Sequence, residues 1–384
     1  MISSTTASAA GSDLFPVIDR HVWLNHAAIS PWPAPVAAAM RRFVEQNCER
    51  GALDYPSWLR TEERLREHAA AFLGGRPDDV ALVKNTSEGL SVIAGGLDWR
   101  EGDALVCCGG DFPSNLLPWH HLVPDFVDVR EAPFSLDDPE GAICAALDDS
   151  VRLLTVSSVR YDTGVRLDLA RLGRACRDCG ALLVVDAIQH VGALPLDVGA
   201  VEVDFVVAGS HKWLLAPEGL AIFWSRPEAR DRLNPVLSGW RMWPDMFDFD
   251  RADWRVPENA RRFEPGTPNM AGIHGLEAAL ALLLQFDAGR RAEALLARTG
   301  TLIEGLDGIA GVDVVTPAAP ERRAGIVSFR LRDGRTDPDA VVRGLAGRGI
   351  HVARRGTALR LSPNFYTPEA QLTRTLEAID ELLA

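Results

Sequence analysis

Lys212 lies in Gly209-Ser210-His211-Lys212-Trp213, directly after the apolar run Asp204 to Ala208, and Asp186 closes a second apolar run in Val184-Val185-Asp186-Ala187-Ile188-Gln189. A lysine among apolar neighbours loses solvation of its charged form, so its amine is drawn toward the neutral state that attacks a carbonyl. An acid ending a neighbouring strand can keep a proton on a pyridine nitrogen, and the ring then takes up the electrons of a bond broken at a substrate α carbon. The two groups address the two ends of one flat ring, and the cofactor expected from them is pyridoxal phosphate. Each also has a plainer use: Asp186 as the cap of a following helix, and Lys212 as a lysine whose stem lies along apolar surface. Gln189, one helical step beyond Asp186, is placed to donate to the phenolate oxygen of such a ring.

A phosphate needs backbone N–H groups and the positive end of a helix. Asn85-Thr86-Ser87-Glu88-Gly89-Leu90 follows the apolar run Val80 to Val83 with capping residues and a glycine for close approach, which predicts a helix whose start holds an anion. Read alone it is a helix cap. Ser210 and His211 are candidates for side-chain contacts to the same phosphate.

These residues must be held by a scaffold, and the chain's 384 residues with 47% hydrophobic content suffice for a large core and two domains. Short apolar runs at 80–83, 104–108, 126–129, 152–156, 181–186, 204–208 and 219–224 alternate with helix-like stretches such as Leu167 to Cys179, stopped by Gly180. That alternation predicts an α/β fold with a mostly parallel sheet sandwiched by helices, whose ligands bind beyond the carboxyl ends of the strands. Residues 239–268 break the pattern, with Trp240, Trp243, Phe247, Phe249 and Trp254 among Pro, Asp and Arg. These aromatics serve core packing, a pocket wall or a subunit seam. A long helix over Ala271 to Arg298, strands at Gly325 to Leu331, Ile350 to Ala353 and Ala358 to Leu361, and helices at Asp337 to Gly347 and Pro368 to Leu383 predict a smaller second α/β domain. The expected division is a flexible tail at 1–20, a large domain at 21–260, of which 21–45 can pack on the small domain, and a small domain at 261–384.

A net charge of −13 and a pI near 5.2 disfavour nucleic acid as a partner. No stretch reaches the roughly 18 apolar residues of a membrane helix, and the Ser/Thr/Ala-rich start lacks a basic and apolar leader, so the expected location is the cytoplasm. Six cysteines make no disulfide framework, and Cys176 and Cys179 close a helix rather than open one, which reads as structural thiols. No metal site is expected.

In order along the chain these motifs resemble those of fold-type I pyridoxal phosphate enzymes of the class V aminotransferase family, which includes cysteine desulfurases, isopenicillin N epimerase and kynureninase. The resemblance runs from about Leu24 to the carboxyl end. It implies that Asp186 and Gln189 bind the ring, that Lys212 forms the Schiff base, and that Thr86 and Ser87 form the phosphate turn. Arg262-Phe263-Glu264-Pro265-Gly266-Thr267-Pro268-Asn269 is similar to a family segment whose Thr reaches the neighbouring subunit's phosphate, so Thr267 implies a homodimer with shared sites. Leu359-Arg360-Leu361-Ser362 is similar to the segment whose Arg grips the substrate carboxylate by a two-pronged bond. Asn25, His26 and Ala28, at the start of the matching stretch, stand with Arg360 as substrate-binding candidates.

Two departures bear on the reaction. In Asp111-Phe112-Pro113-Ser114-Asn115, similar to the stretch that stacks a ring on the cofactor, Phe112 occupies the position usually held by His in desulfurases; it can stack but moves no proton. Residues 351–358 contain no Cys where desulfurases carry their sulfur-accepting thiol, and Cys179 is the last in the chain. Extra arginines there, with Arg160 beside Tyr161, suggest a second anionic group on the substrate or simply solvated surface. The expected activity is transamination or β-elimination at the α carbon of an amino acid, then epimerisation, then desulfuration; a non-catalytic cofactor-binding sensor is the alternative outside enzymes.

Overall fold

The computed structural model describes residues 11–243, 246–248, 250, 255–332, 334 and 336–384. In chain order its elements begin with β1 (Val22–Trp23), α1 (Ala34–Arg50), α2 (Tyr55–Leu73), β2 (Val80–Val83), α3 (Thr86–Gly96), β3 (Ala104–Cys108), α4 (Leu117–His121), β4 (Asp128–Ala132), α5 (Gly141–Ala145), β5 (Val151–Ser157) and α6 (Leu169–Cys179). They continue with β6 (Leu182–Asp186), β7 (Phe205–Gly209), β8 (Ala221–Ser225), α7 (Pro227–Arg230), α8 (Met270–Leu283), α9 (Ala288–Asp307), β9 (Val312–Val314), β10 (Val327–Leu331), α10 (Pro338–Gly347), β11 (Ile350–His351), β12 (Ala353–Arg355), β13 (Ala358–Leu361) and α11 (Glu369–Leu383).

The central sheet has seven strands in the order β2-β8-β7-β6-β5-β3-β4, and only β8 runs antiparallel to its two neighbours. Strands β6, β7 and β8 are buried at every residue. Their sequences are near-continuous apolar runs because helices cover both faces of the sheet. One layer of core gathers around Val106, Leu154, Leu183 and Val206, the other around Leu105, Leu153, Val184 and Val207. Asp168 caps α6 by accepting from Arg171 N, and Gly180 at φ +76° ends it.

The second layer of structure is an antiparallel sheet in the order β12-β13-β10-β9. Its core of Leu302, Val327, Phe329, Leu345, Leu359 and Leu372 lies beneath α9, α10 and α11. The chain's start returns to this body: β1 pairs in parallel with β11, and Asn25 bridges to Ser362.

Three expectations are corrected. The long helix at 271–298 is two helices, because Asp287 leaves the helical conformation and caps α9 through Arg290 N. The division near 260 lies too early: α8 packs on α1 and α2 and contributes Met270, Ile273 and Leu276 to the large core, so the small body starts with α9. Within 21–45, β1 pairs with β11 while α1 packs on α8. The expected flexible tail holds only in name for 11–20, because Phe15 is buried and stacks on Tyr366 at 3.8 Å; residues 1–10 lie outside the described residues. No helix among the described residues is long and apolar enough to cross a membrane, and none of their His, Cys, Asp and Glu side chains group as a metal site.

Candidate active site

Lys212 follows β7 in a tight loop closed by Leu215 N to the Lys212 carbonyl and Ala216 N to the Ser210 carbonyl, both 3.1 Å. Leu215 takes φ +58°, the left-handed region that L side chains enter at a cost of about 1–2 kcal/mol. It is fully buried, so packing holds it there. Trp213 fixes the other side of the lysine: its indole N–H donates to Gln189 Oε1 at 2.8 Å, and its ring lies where any side chain on Gly325 would stand. Lys212 is 9% exposed, and its Nζ has no hydrogen bond or ion pair among the described residues. Its Nζ stands 5.7 Å from the centre of the Phe112 ring. Burial lowers its pKa, with Arg360 and Arg355 acting in the same direction and Asp186 against it.

Asp186 ends the adjacent strand, in register with Ser157 of β5 and Val207 of β7. Its Oδ1 accepts from Ile188 N at 3.0 Å, so it does cap the following turn, and it is buried as well. Burial raises its pKa; the Ile188 bond opposes this, Asp111 adds to it and Lys212 opposes it. A buried carboxylate with so little compensation suits a protonated ring nitrogen. Gln189 spends one N–H on the Ala27 carbonyl at 3.0 Å and keeps the other.

At the same carboxyl edge of the sheet, just after β2, Asn85 Oδ1 accepts from Glu88 N at 2.8 Å and starts α3. Gly89 allows this helix to lie on β7, since a Cβ there would come within 2.6 Å of Val207 Cγ1. The first residue of α3, Thr86, is thereby brought beside Gly209: a Cβ on Gly209 would stand 3.3 Å from Thr86 Oγ1 and from His211 Cε1, and 2.9 Å from Ile188 Cδ1. Thr86 Oγ1 is buried without a partner. Ser87 Oγ instead donates to Ser114 Oγ at 2.8 Å, which ties α3 to the Phe112 loop.

Arg360 is 1% exposed. One nitrogen, Nη1, donates to the Tyr161 carbonyl at 2.7 Å, while Nε and Nη2 are buried without partners. Burial first, then Arg355, lowers its pKa to about 9. Nε and Nη2 share one edge of the guanidinium, the fork that matches a carboxylate. An amine without a partner, a buried carboxylate, an unbonded hydroxyl beside a glycine gap and an open arginine fork together fit pyridoxal phosphate with an amino acid beside it.

A buried network missed in the sequence sets the Phe112 loop. Asp111 Oδ1 accepts from Phe112 N at 2.7 Å and Ser157 Oγ at 2.8 Å, and Oδ2 accepts from Asn115 Nδ2 at 2.9 Å and Ser157 N at 3.1 Å. Thr155 Oγ1 donates to Asn115 Oδ1 at 2.6 Å. The signal was present as Asp and Asn four apart around Pro113, the spacing of a polar turn. Tyr161 was also passed over; its ring meets Phe112 edge-on at 5.2 Å.

Four candidates have other work. Arg160 was expected to reach an anionic substrate group, but its guanidinium is buried and paired with Asp162 (3.1 and 3.0 Å). It also donates to the Gly110 carbonyl at 2.7 Å and covers the Phe134 ring at 4.1 Å. It braces the turn before Phe112. Both ring nitrogens of His26 are taken, by the Ser362 carbonyl at 2.8 Å and Tyr366 Oη at 2.7 Å, and burial lowers its pKa to about 4. Ala28 N donates to the Asn25 carbonyl at 3.1 Å. Ser210 Oγ is turned to the Leu220 carbonyl at 2.7 Å and the Pro217 carbonyl, so it has no proton left for a phosphate. Asn25 remains: its Oδ1 is buried without a partner, two residues from Arg360 through the Ser362 bridge. His211 is half-buried, and burial lowers its pKa.

Thr267 lines a cavity of about 470 Å³ with Lys84, Glu88 and Gly219 near the start of α3. The strap that carries it is fastened by a buried charge network: Glu264 accepts from Leu82 N at 2.7 Å and Arg66 at 2.6 Å, and Arg66 (2.7 Å) and Arg241 (2.9 Å) both bind Glu62. Of the aromatic cluster, Trp240 is 39% exposed, and Phe249 and Trp254 lie outside the described residues. A roomier cavity of about 710 Å³, among Arg76, Arg230, Arg255 and Glu258, contains none of the candidate residues.

The family described as aminotransferase class-V matches residues 22–362. A probable cysteine desulfurase of Methanothermobacter thermautotrophicus is 30% identical over 96% of both chains. The isopenicillin N epimerase of Amycolatopsis lactamdurans is 29% identical over 94% of both. A cystine C–S lyase, solved with its reaction product cysteine persulfide, superposes with a TM-score of 0.88 at 24% identity, covering 96% of this chain and 99% of the other, and so shares the fold.

Proposed function

The chain belongs to the aminotransferase class-V family, and from that premise we propose a pyridoxal phosphate enzyme that cleaves a carbon–sulfur bond of an amino acid by β-elimination. The observation that carries the reading is the buried Arg360 fork, unfilled and near enough for its charge to lower the Lys212 amine. When bound, the cofactor supplies a protonated, electron-accepting ring joined to the substrate nitrogen.

Lys212 contributes an amine that burial biases to the neutral form; it would hold the cofactor at its carbonyl carbon, and its Nζ is the base placed to take the α proton. Asp186 holds the proton on the ring nitrogen, and Gln189 directs its remaining N–H to the phenolate oxygen. Thr86 Oγ1 and the first N–H groups of α3 bind the phosphate, with His211 beside them. Phe112 covers the ring and excludes water, held at its station by Asp111. Arg360 orients the α-carboxylate, and Asn25 stands next to it. Because residues 351–358 carry no thiol, sulfur leaves into solution and not onto the protein. The family likeness of the segment 262–269 is the ground for a homodimer in which Thr267 reaches the partner's phosphate.

A screen of cysteine, cystine and their S-substituted forms, with pyruvate, sulfide, keto acid and α-deuterium exchange followed, tests the proposal. Pyruvate with released sulfide or persulfide is expected. A keto acid that retains its sulfur would replace elimination with transamination, and absence of α-deuterium exchange with every amino acid would refute the site.

A further inference from the structure

Arg355 and Arg360 rise from one face of the hairpin formed by β12 and β13. Register places Ala353 opposite Arg360 and Arg355 opposite Ala358. Residues two apart on a strand share a face, so the two arginines are diagonal neighbours with origins roughly 7–8 Å apart. Gly356, at φ +58°, closes the turn that makes this pairing possible. Arg354, which precedes Arg355 in sequence, faces the other way and is neutralised by Asp339, with the Gly356 carbonyl at 2.7 Å.

Arg355 differs from its neighbours Arg160 and Arg354. Arg160 has Asp162 and Arg354 has Asp339, whereas half-buried Arg355 donates only to the Arg354 carbonyl at 2.7 Å and has no carboxylate in ion-pair range among the described residues. The shared face of the hairpin sets it beside Arg360, and its positive charge acts to lower the pKa of both Arg360 and Lys212. One α-carboxylate fills the Nε and Nη2 edge of Arg360, since Nη1 is taken by Tyr161. A cation held near that edge without a counter-charge is left over.

We propose that Arg355 receives a second carboxylate of the substrate, distal to the one on Arg360, so that the enzyme prefers amino acids carrying two carboxylates. The second group belongs either to a dicarboxylic side chain or to the far half of two amino acids joined through sulfur. This rests on the reading of Arg360 as the α-carboxylate anchor.

Calorimetric titration of the holoenzyme tests it without relying on turnover, using glutarate against pentanoate and, in holo Lys212→Ala protein, L-cystine against S-methyl-L-cysteine. Wild-type protein should favour the two-carboxylate member of a pair by roughly tenfold or more. Arg355→Gln should remove that preference while leaving the one-carboxylate member within about twofold, and Arg355→Lys should restore part of it. Preference within the first pair assigns a dicarboxylic side chain, and within the second pair joined halves. No preference in either pair, or equal weakening of both members by Arg355→Gln, overturns the proposal. Arg360→Gln separates the two readings: if it leaves both members of a pair unaffected, the anchor itself is wrong, and if it weakens both while Arg355→Gln changes nothing, only the Arg355 role fails.

Discussion

Substituting Arg360→Lys keeps a positive charge and removes the fork. In the structure two donors of one guanidinium edge are buried without partners while the third nitrogen holds the Tyr161 carbonyl. Each charge-assisted bond to a substrate carboxylate contributes about 1.5–3 kcal/mol, and a lysine at this depth can replace one of the two at best. The expected loss is therefore about 1.5–3 kcal/mol of substrate binding, a rise in KM of roughly 10- to 150-fold. The same accounting predicts an opposite effect on the protein without substrate. Two unsatisfied buried donors cost about 1–3 kcal/mol each, so Arg360→Met, similar in length and apolar, should leave the cofactor-free fold as stable or more stable. Substrate saturation curves and thermal unfolding on the same preparations check both halves. A KM within threefold of wild type for Arg360→Lys, or a clear drop in melting temperature for Arg360→Met, would refute the reasoning.

The Lys212 amine reacts only when neutral, and burial lowers its pKa from 10.5, so its neutral fraction grows earlier as pH rises. Capture of pyridoxal phosphate by the apoprotein, followed by visible absorbance, should accelerate with pH and reach half its maximum below pH 10.5; a midpoint at or above that value contradicts the site. Gly209→Ala would put a methyl group 2.9 Å from Ile188 Cδ1 and 3.3 Å from Thr86 Oγ1. Cofactor affinity should fall by roughly tenfold or more, the equivalent of about 1.4 kcal/mol, with the unfolding midpoint of the apoprotein little changed; unchanged affinity in a fluorescence titration would remove Gly209 from the cradle. Glu264→Ala leaves Arg66 with half of its buried counter-charge, and chemical denaturation should show a loss of about 3–5 kcal/mol. An intact midpoint would mean that the strap is not held by these charges.

The parallel sheet was legible because buried strands have one reading: Val184-Val185-Asp186 and Phe205 to Ala208 are apolar runs that lead into candidate site residues. The placement of Lys212, Asp186, Thr86 and Arg360 was legible for the same reason, as each sits directly after or within a strand. The break between α8 and α9 was hidden because Leu282, Leu283 and Phe286 keep helical apolar spacing while Asp287 turns the backbone into a new cap. Arg160 was legible only in part: its ion-pair partner Asp162 is two residues on, but Gly109 and Gly110 stand some 50 residues away and meet it through the β3–β5 pairing. His26 was opaque for a longer-range reason still, with both hydrogen-bond partners more than 330 residues distant.

The pairing of Val22 and Trp23 with Ile350 and His351, continued by Asn25 at Ser362 and by Phe15 on Tyr366, has a consequence for synthesis of the chain. Translation delivers the lysine, the ring acid and the phosphate turn long before residue 350 emerges, so the cofactor half of the site can assemble on the ribosome. The opening strand has no partner until the last tenth of the polypeptide is made, and its apolar residues stay uncovered meanwhile. Selection of substrate is thus the final property that the nascent protein acquires, and a chain cut short before its last strand could hold a vitamin yet have no grip on an amino acid.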